Sequence, residues 1–332
     1  AEPGYRAAVD RHGLGEALWG AADVHAIEAA QPAVFAHGIA LAEWLDGLGL
    51  RPGGVVGHSA GELVAACLAG VLSVADGLEL ARVRGRAMAA TEPGRMAAVF
   101  AARAEVEAVL AGVSGVIGVA ASNAPEQTVV SGEGAAVRAA VVACEAAGLA
   151  VTELAVGCGA HSELMAAAAP ALAEALAAVD FEEAVIPWVS SASAARLARV
   201  DSAYWLEQLR APVDFVGALR ATAALEREEG AGFRTFVELG GTAGLSACAS
   251  ATLGDDVVVV GLGDTDDVSM APVDAALVRL AELGLVAPRP ARRTDGRRLW
   301  IDAPARPRQE VQDGISLRLE SEPAIRDHVT AG

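Results

Sequence analysis

VVGHSAGELVAA, residues 55–66, is the stretch on which the reading of this chain turns. Its centre, Gly57-His58-Ser59-Ala60-Gly61, is a G-x-S-x-G pentapeptide that either presents a serine hydroxyl or is a small-residue turn. The bare pattern arises easily by chance in a chain with 36 glycines, so the flanks must decide. Val55 and Val56 close a short apolar run after the turn signal Arg51-Pro52-Gly53-Gly54, which reads as a buried strand. Glu62 to Ala69 has helix-forming composition with almost no charge, which reads as a buried helix. On a sharp strand-to-helix turn a serine hydroxyl is exposed, flanking glycines let the two backbones approach, and the helix N-terminus favours developing negative charge. Such a serine still needs a base, which the rest of the chain must supply.

Upstream, Ala1–Gly20 is weakly patterned, while 32–48 carries Val34, Phe35, Ile39, Leu41, Leu45 and Leu48 at helical spacing. Downstream a second helix is expected over 74–90. Residues 95–156 then change character: strand 96–101, helix 103–111, strand 116–121, strand 127–131, helix 134–147 and strand 150–156. That β-α-β-β-α-β order is the ferredoxin-like split pattern, here inserted in a larger α/β unit. The larger unit resumes with helix 162–178, strand 185–190, a helical piece at 204–209, helix 213–228, strands 234–239 and 256–261, and helix 272–284. From Ala287 the composition shifts to PRPARRTDGRR, which reads as linker.

Composition bounds the function. The 53% apolar and 20% charged content is that of a globular protein with an ample core. A net charge of −18 argues against nucleic acid and against anionic membrane surfaces as partners. All 25 cationic residues are arginine, a compositional bias that goes with the heavy use of alanine. Cys67, Cys144, Cys158 and Cys248 are widely spread with no C-x-x-C pair, so neither disulfides nor a zinc site is expected, and a reducing cytoplasm is the default location. No basic segment followed by an apolar stretch opens the chain, and no apolar run reaches the roughly 20 residues of a membrane span.

Histidine is the usual partner of a serine nucleophile, and six are present: His12, His25, His37, His58, His161 and His328. His58 adjoins the serine, and on such a turn its side chain should point away from the hydroxyl. His161, in AVGCGAHSELM, leaves the last strand of the inserted unit and precedes a helix; it is either a cleft-facing base or a helix-cap histidine. Arg84, in ARVRGRAM, lies in apolar surroundings on the helix after the serine helix. It is either solvated, as Arg82 and Arg86 are expected to be, or a fixed guanidinium fork for a carboxylate.

GHSAGE followed by LVAACLAGVLSVADGLELARVRGRAM resembles the acyltransferase domain of type I polyketide synthases, in the wider group of malonyl-CoA:acyl-carrier-protein transacylases. The likeness continues through QPAVFA (31–36), SNAPEQTVVSG (122–132), GAHSELM (159–165), YWLEQLRAPVDF (204–215) and TFVELGG (235–241), covering roughly 1–285 in order. The resemblance implies that Ser59 accepts an acyl group from coenzyme A and passes it to a carrier-protein phosphopantetheine thiol. It implies His161 as general base and then acid, Arg84 as partner of the free carboxylate of a malonyl-type unit, and the Ala60 N–H as an oxyanion donor. Gln31, Asn123, His58, Cys158 and Ala160 fall at positions beside the acyl group. No cofactor is implied, since two thioesters are exchanged through a serine ester with coenzyme A thioester as substrate. The implied fold is an α/β-hydrolase-like parallel-sheet core (1–93 and 162–286) with the inserted ferredoxin-like unit (94–161), the acyl site lying between them.

Several residues depart from the family pattern. The family opens with a G-Q-G strand that supplies the second oxyanion donor, and no such segment precedes Tyr5. Cys158-Gly159-Ala160-His161 matches neither YASH, linked to methylmalonyl units, nor HAFH, linked to malonyl. Ala60 replaces the Gln frequent in methylmalonyl enzymes, and Gly240-Gly241-Thr242 stands where G-P-H is usual. Small residues at 158–160 leave room for a branched unit, but the missing Gln and YASH favour malonyl. After a linker over 287–314, in which RRLWID (297–302) is expected to pack back on the acyltransferase, the segment 315–332, with SLRLESEPAIRDHVTAG at 316–332, resembles the opening of a dehydratase, whose motif His328 and Gly332 fit. Implied partners are acyl-CoA, an acyl carrier protein and neighbouring ketosynthase and dehydratase domains. A serine hydrolase or thioesterase expects its histidine near the C-terminus after a triad acid, and a non-catalytic docking domain makes the Ser59, His161 and Arg84 set accidental.

Overall fold

The computed structural model describes residues 2–21, 23, 26–225, 234–240, 244–263, 270–287, 291–292 and 298–299. Three helices open the chain: α1 (Pro3–Arg11), α2 (Gly15–Trp19) and α3 (Ile27–Asp46). The strand–serine–helix unit follows as β1 (Val55–Val56) and α4 (Gly61–Leu68), and α5 (Val74–Ala89) comes next. The middle of the chain runs β2 (Gly94–Val99), α6 (Arg103–Leu110), β3 (Ile117–Ala124), β4 (Gln127–Glu133), α7 (Gly134–Ala146) and β5 (Val151–Glu153). A 3₁₀ turn at Glu163–Ala168 leads into α8 (Ala169–Leu176), then β6 (Trp188–Val189), β7 (Arg196–Leu197), α9 (Ser202–Gln208), β8 (Val213–Asp214) and α10 (Phe215–Ala224). The last elements are β9 (Thr235–Glu238), α11 (Gly244–Leu253), β10 (Val258–Gly261), α12 (Ala271–Glu282) and an antiparallel pair, Ala291–Arg292 with Arg298–Leu299. The fold is mixed α/β.

Pairing organises these elements around one five-stranded sheet of order β5-β2-β4-β3-β8. Its first four strands are antiparallel to their neighbours, whereas β8 joins β3 in parallel, Ala121 opposite Val213 and Ser122 opposite Asp214. Parallel pairing also joins β1 to β6 and β9 to β10. Along β2 and β4 the side chains alternate between two cores: Ala97, Val99 and Val130 pack with Val106 and Val137, while Ala98 and Val129 pack with Val213, Phe215 and Leu219. Both faces are covered, which is why these strands read as near-continuous apolar runs. The largest core holds Phe35, Leu63, Leu80, Met88, Trp188 and Leu209, each side chain burial contributing about 1.5–3 kcal/mol.

The boundaries differ from expectation in instructive places. The expected helix 213–228 begins as β8, because Val213 and Asp214 find a partner edge in β3; the Asp214 carboxylate then accepts from Gly217 N at 2.9 Å and starts α10. The expected helix 162–178 is a 3₁₀ turn before it becomes α8. Strands 150–156 and 185–190 shorten to Val151–Glu153 and Trp188–Val189. Helix α3 starts at Ile27 and carries Pro32 internally, so the proline does not mark its start. The weakly patterned opening holds α1, which packs on α3 with Tyr5 OH 2.9 Å from His37 Nδ1; tertiary contact supplies what its periodicity lacks. Ala287 and the pair at 291–292 and 298–299 are described. His25, Gly241, Thr242, the rest of the expected linker and the segment 315–332 with His328 lie outside the described residues. Among the described residues no helix is long and apolar enough to cross a membrane.

Candidate active site

The turn between β1 and α4 is tight because backbone meets backbone. A Cβ on Gly57 would lie 2.4 Å from Glu62 Cα and N, whereas one on Gly61 meets nothing within 4 Å. Close approach therefore needs glycine at 57 alone. Gly57→Ala is expected to lower the unfolding free energy by about 1–3 kcal/mol in urea titrations, and Gly61→Ala to leave it near wild type. Ser59 itself has φ 52°, a left-handed conformation that costs a non-glycine residue about 1–3 kcal/mol. The surrounding hydrogen bonds maintain it: Gly61, Glu62 and Leu63 N–H donate to His58, Ser59 and Ala60 O at 2.8, 3.0 and 3.1 Å. The Ala60 N–H takes no part in these and sits at the positive end of the helix.

His161 approaches from the far end of the β5 segment, also with positive φ, 56°. Its Nε2 lies 2.7 Å from Ser59 Oγ, and its Nδ1 lies 2.8 Å from Ala211 O. A carbonyl only accepts, so Nδ1 carries the proton and Nε2 presents its lone pair to the serine hydroxyl. The helix-cap role considered for His161 is filled by Ser162, whose Oγ accepts from Leu164 N at 3.3 Å. Burial, and after it the charge of Arg84, lowers the His161 pKa to about 3 from 6.5.

That shift makes a stability prediction. Between about pH 6.5 and about pH 3 the unfolded chain binds a proton at this position that the folded chain does not. Stability therefore falls as pH drops through that window, by up to about 1.4 kcal/mol per pH unit for one such group. Burial lowers His58 and His37 in the same direction. Chemical unfolding at about pH 7 and about pH 5 should show the loss, and His161→Gln should make the dependence shallower.

Arg84 completes the cluster. It is 3% exposed on the inner face of α5, with Nη1 donating to Gln31 Oε1 and Nη2 donating to Ser59 Oγ at 3.4 Å. Desolvation lowers its pKa to about 10, partly offset by Cys158 and Glu62, so it remains cationic at neutral pH. Arg82 and Arg86 pair with Glu79 at the surface, as solvated residues do. Cys158 is buried near this charge, its thiol pushed up by desolvation and pulled down by Arg84. The sequence set thus converges in part. Ser59, His161, Arg84 and Gln31 meet directly, and Ala60 and Ala160 flank them in the chain. His58 turns away from the serine, its Nε2 2.7 Å from Asn123 Oδ1 and its ring edge-on to Phe215, so this pair ties the turn to β3. Gly159 is held small by what surrounds it: a Cβ there would lie 2.8 Å from Leu164 Cδ1, 3.1 Å from Ser162 Oγ and 3.3 Å from Gly132 O.

Several participants escaped the sequence reading. Gln208 Nε2 donates to Ser59 O at 3.0 Å, and the Ala211 carbonyl orients the imidazole. Glu62, fully buried, accepts from Ser191 and Tyr204. The visible signals were a glutamate heading an apolar helix and the polar pair Tyr204 and Gln208 one turn apart in YWLEQLR. Among the described residues no group of three or more His, Cys, Asp or Glu side chains could hold a metal ion. A hydroxyl held against a neutral imidazole, beside a helix N-terminus and a buried guanidinium, is equipped to attack an acyl carbonyl whose far end is anionic.

Residues 14–276 match the acyl transferase domain family. The phenolphthiocerol synthesis polyketide synthase type I Pks15/1 of Mycobacterium marinum is 38% identical over 295 residues, covering 85% of this chain; the chain spans only 14% of that relative's length. The crystal structure of the acyltransferase domain from the second module of the salinomycin polyketide synthase is similar with a TM-score of 0.77 and 34% identity, over 86% of this chain and 68% of the other. The malonyl-CoA:acyl carrier protein transacylase of Xanthomonas oryzae is similar with a TM-score of 0.70 and 31% identity, over 80% of this chain and 88% of the other.

Proposed function

This chain belongs to the acyl transferase domain family, and from that premise we propose that it loads a dicarboxylic acyl unit from coenzyme A onto Ser59 and hands it to the phosphopantetheine thiol of an acyl carrier protein. The observation that carries this reading is the placing of Ser59 Oγ between His161 Nε2 at 2.7 Å and Arg84 Nη2 at 3.4 Å. The similarity to polyketide synthase acyltransferase domains supports a place in a type I polyketide synthase.

In the first half-reaction Ser59 Oγ attacks the thioester carbonyl while its proton passes to His161 Nε2. The tetrahedral oxyanion is met by the Ala60 N–H at the start of α4. Collapse breaks the carbon–sulfur bond, and the departing thiolate takes the proton from His161. In the second half-reaction the carrier thiol attacks the serine ester, its proton passing through the same imidazole back to Ser59. Exchange of one thioester for another releases little free energy and needs neither metal nor redox cofactor. Arg84 would pair with the free carboxylate, which in a malonyl unit lies one methylene from the reacting carbonyl.

Malonyl is favoured over methylmalonyl because no Gln stands at Ala60 and no YASH precedes the helix. The nearness of Leu164 Cδ1 and Ser162 Oγ to a Cβ at Gly159 supports a packing cause for small size there, so that glycine is not an argument for a branched unit. The order β5-β2-β4-β3 with α6 and α7 on one face supports reading 94–161 as a ferredoxin-like unit, and the parallel pairs β1–β6 and β9–β10 support a hydrolase-like core of 1–93 and 162–286. We read 287–314 as linker and 315–332 as the opening of a dehydratase-like domain from sequence, with ketosynthase and dehydratase domains as neighbours. The test is transfer to a carrier protein bearing phosphopantetheine. Malonyl-CoA should exceed methylmalonyl-CoA in kcat/KM by about tenfold or more, the effect of one misplaced methyl group. Equal values would shift the assignment to a site tolerant of branching.

A further inference from the structure

Among the described residues Glu62 is the only buried carboxylate, with no exposed surface, three positions after Ser59. Every partner it has is a donor. Oε1 accepts from Ser191 N at 2.7 Å and Ser191 Oγ at 2.6 Å, and Oε2 accepts from the Tyr204 hydroxyl, which lies 2.8 Å from Ser190 Oγ. Such a set suits the ionised form, since a protonated acid would turn a donor against donors. Desolvation pushes its pKa up and these hydrogen bonds oppose that push. A buried anion is costly, and an apolar residue of similar volume would often fold as well or better, so stability alone does not account for it.

The partners lead back to the reacting pair. Ser191 O accepts from Asp214 N at 2.6 Å, fastening the loop after β6 to β8, just beyond Ala211 whose carbonyl orients His161. Tyr204 lies on α9 one turn before Gln208, whose amide holds Ser59 O at 3.0 Å. One carboxylate thus ties the helix of the serine to the two segments that hold the serine carbonyl and the imidazole.

We propose that Glu62 is a positioning residue for acyl transfer, its ionised carboxylate locking α4, the 190–191 loop and α9 in the register that aligns Ser59 Oγ with His161 Nε2. This rests on the acyl-serine reading of Ser59 and His161. The same negative charge faces Arg84 and favours its cationic form.

Glu62→Gln keeps the shape and removes the charge; its amide can satisfy Ser191 through the oxygen while its NH₂ meets the Tyr204 oxygen. In the full chain, with rates normalised to the burst of acyl-enzyme, kcat for transfer from malonyl-CoA should fall about tenfold or more while KM stays within about twofold. A role in folding alone would lower the burst amplitude and leave normalised kcat unchanged. Tyr204→Phe retains the carboxylate and removes one tether; its kcat should fall in the same direction by about threefold, and it decides the matter if Glu62→Gln does not fold. Wild-type normalised kcat in the folded variants overturns the proposal. Ser59→Ala separates the two readings: activity surviving in it sinks the acyl-serine reading, whereas its loss together with full activity in Glu62→Gln sinks the positioning role alone.

Discussion

Ser59→Ala should form no acyl-enzyme. After brief exposure to malonyl-CoA, intact-mass measurement of the wild-type chain should show one malonyl adduct, and the variant none. Steady-state transfer to a carrier protein should fall by at least about 10³-fold, as it does when a nucleophile is removed from a set that acts as a unit. Ser59 is suited to this role for reasons that do not depend on its neighbours in the family. Its left-handed φ of 52° lifts Oγ out of the turn, and His161, its other ring nitrogen satisfied by Ala211, has an open lone pair 2.7 Å away. Alanine at 59 removes one small oxygen from a partly exposed position, so loss of folding does not explain loss of the adduct. An adduct that persists in Ser59→Ala places the nucleophile elsewhere; no adduct in the wild type removes the acyl-transfer proposal itself.

Arg84→Ala should change which acyl group is taken more than whether one is taken. The kcat/KM for malonyl-CoA should drop by about 10²-fold, in line with roughly 2–5 kcal/mol for truncating one partner of a buried hydrogen-bonded charge pair. Acetyl-CoA, which has no carboxylate to lose, should be used as well as before or better. The informative quantity is the malonyl-to-acetyl ratio, because any loss of folded protein cancels in it. Arg84→Lys should not restore the ratio. A single ammonium cannot reach Gln31 and a carboxylate with the geometry of the guanidinium fork. The clamp should also persist well above neutral pH, since Arg84 loses its charge only as pH rises through about 10. An unchanged malonyl-to-acetyl ratio in Arg84→Ala would leave the guanidinium a structural cation and move carboxylate recognition to another group.

Much of the reacting chemistry was readable along the chain, because it depends on short-range physics. The helix over 74–90 and the solvated state of Arg82 and Arg86 were legible, whereas the choice between a solvated and a buried Arg84 was made by the structure, which puts it on the inner face of α5. The glycine-framed pentapeptide announced a sharp turn, although the structure limits the steric requirement to Gly57. The β-α-β-β-α-β order over 95–156 was likewise visible, since each element is set by its own periodicity. Reading failed where a segment's state depends on what it touches. Val213 and Asp214 continued a helical pattern and became β8 because β3 offers an edge. The opening residues lacked a clear pattern and became α1 because α3 offers a face.

The site divides along the same line. Local pattern raised Ser59, His161 and Arg84 as candidates, the family resemblance implied their roles, and local sterics shaped the turn that carries the serine. That His161 meets Ser59 across 102 residues, that Gln208 holds the serine carbonyl from 149 residues away, and that Glu62 finds Ser191 and Tyr204 at separations of 129 and 142 were settled by tertiary packing. Backbone sterics and side-chain periodicity act within a turn or two, and so leave their mark in consecutive letters. A hydrogen bond between distant segments forms only when burial of their apolar faces brings them together, and a glutamate in an apolar helix does not say which donors will be waiting for it.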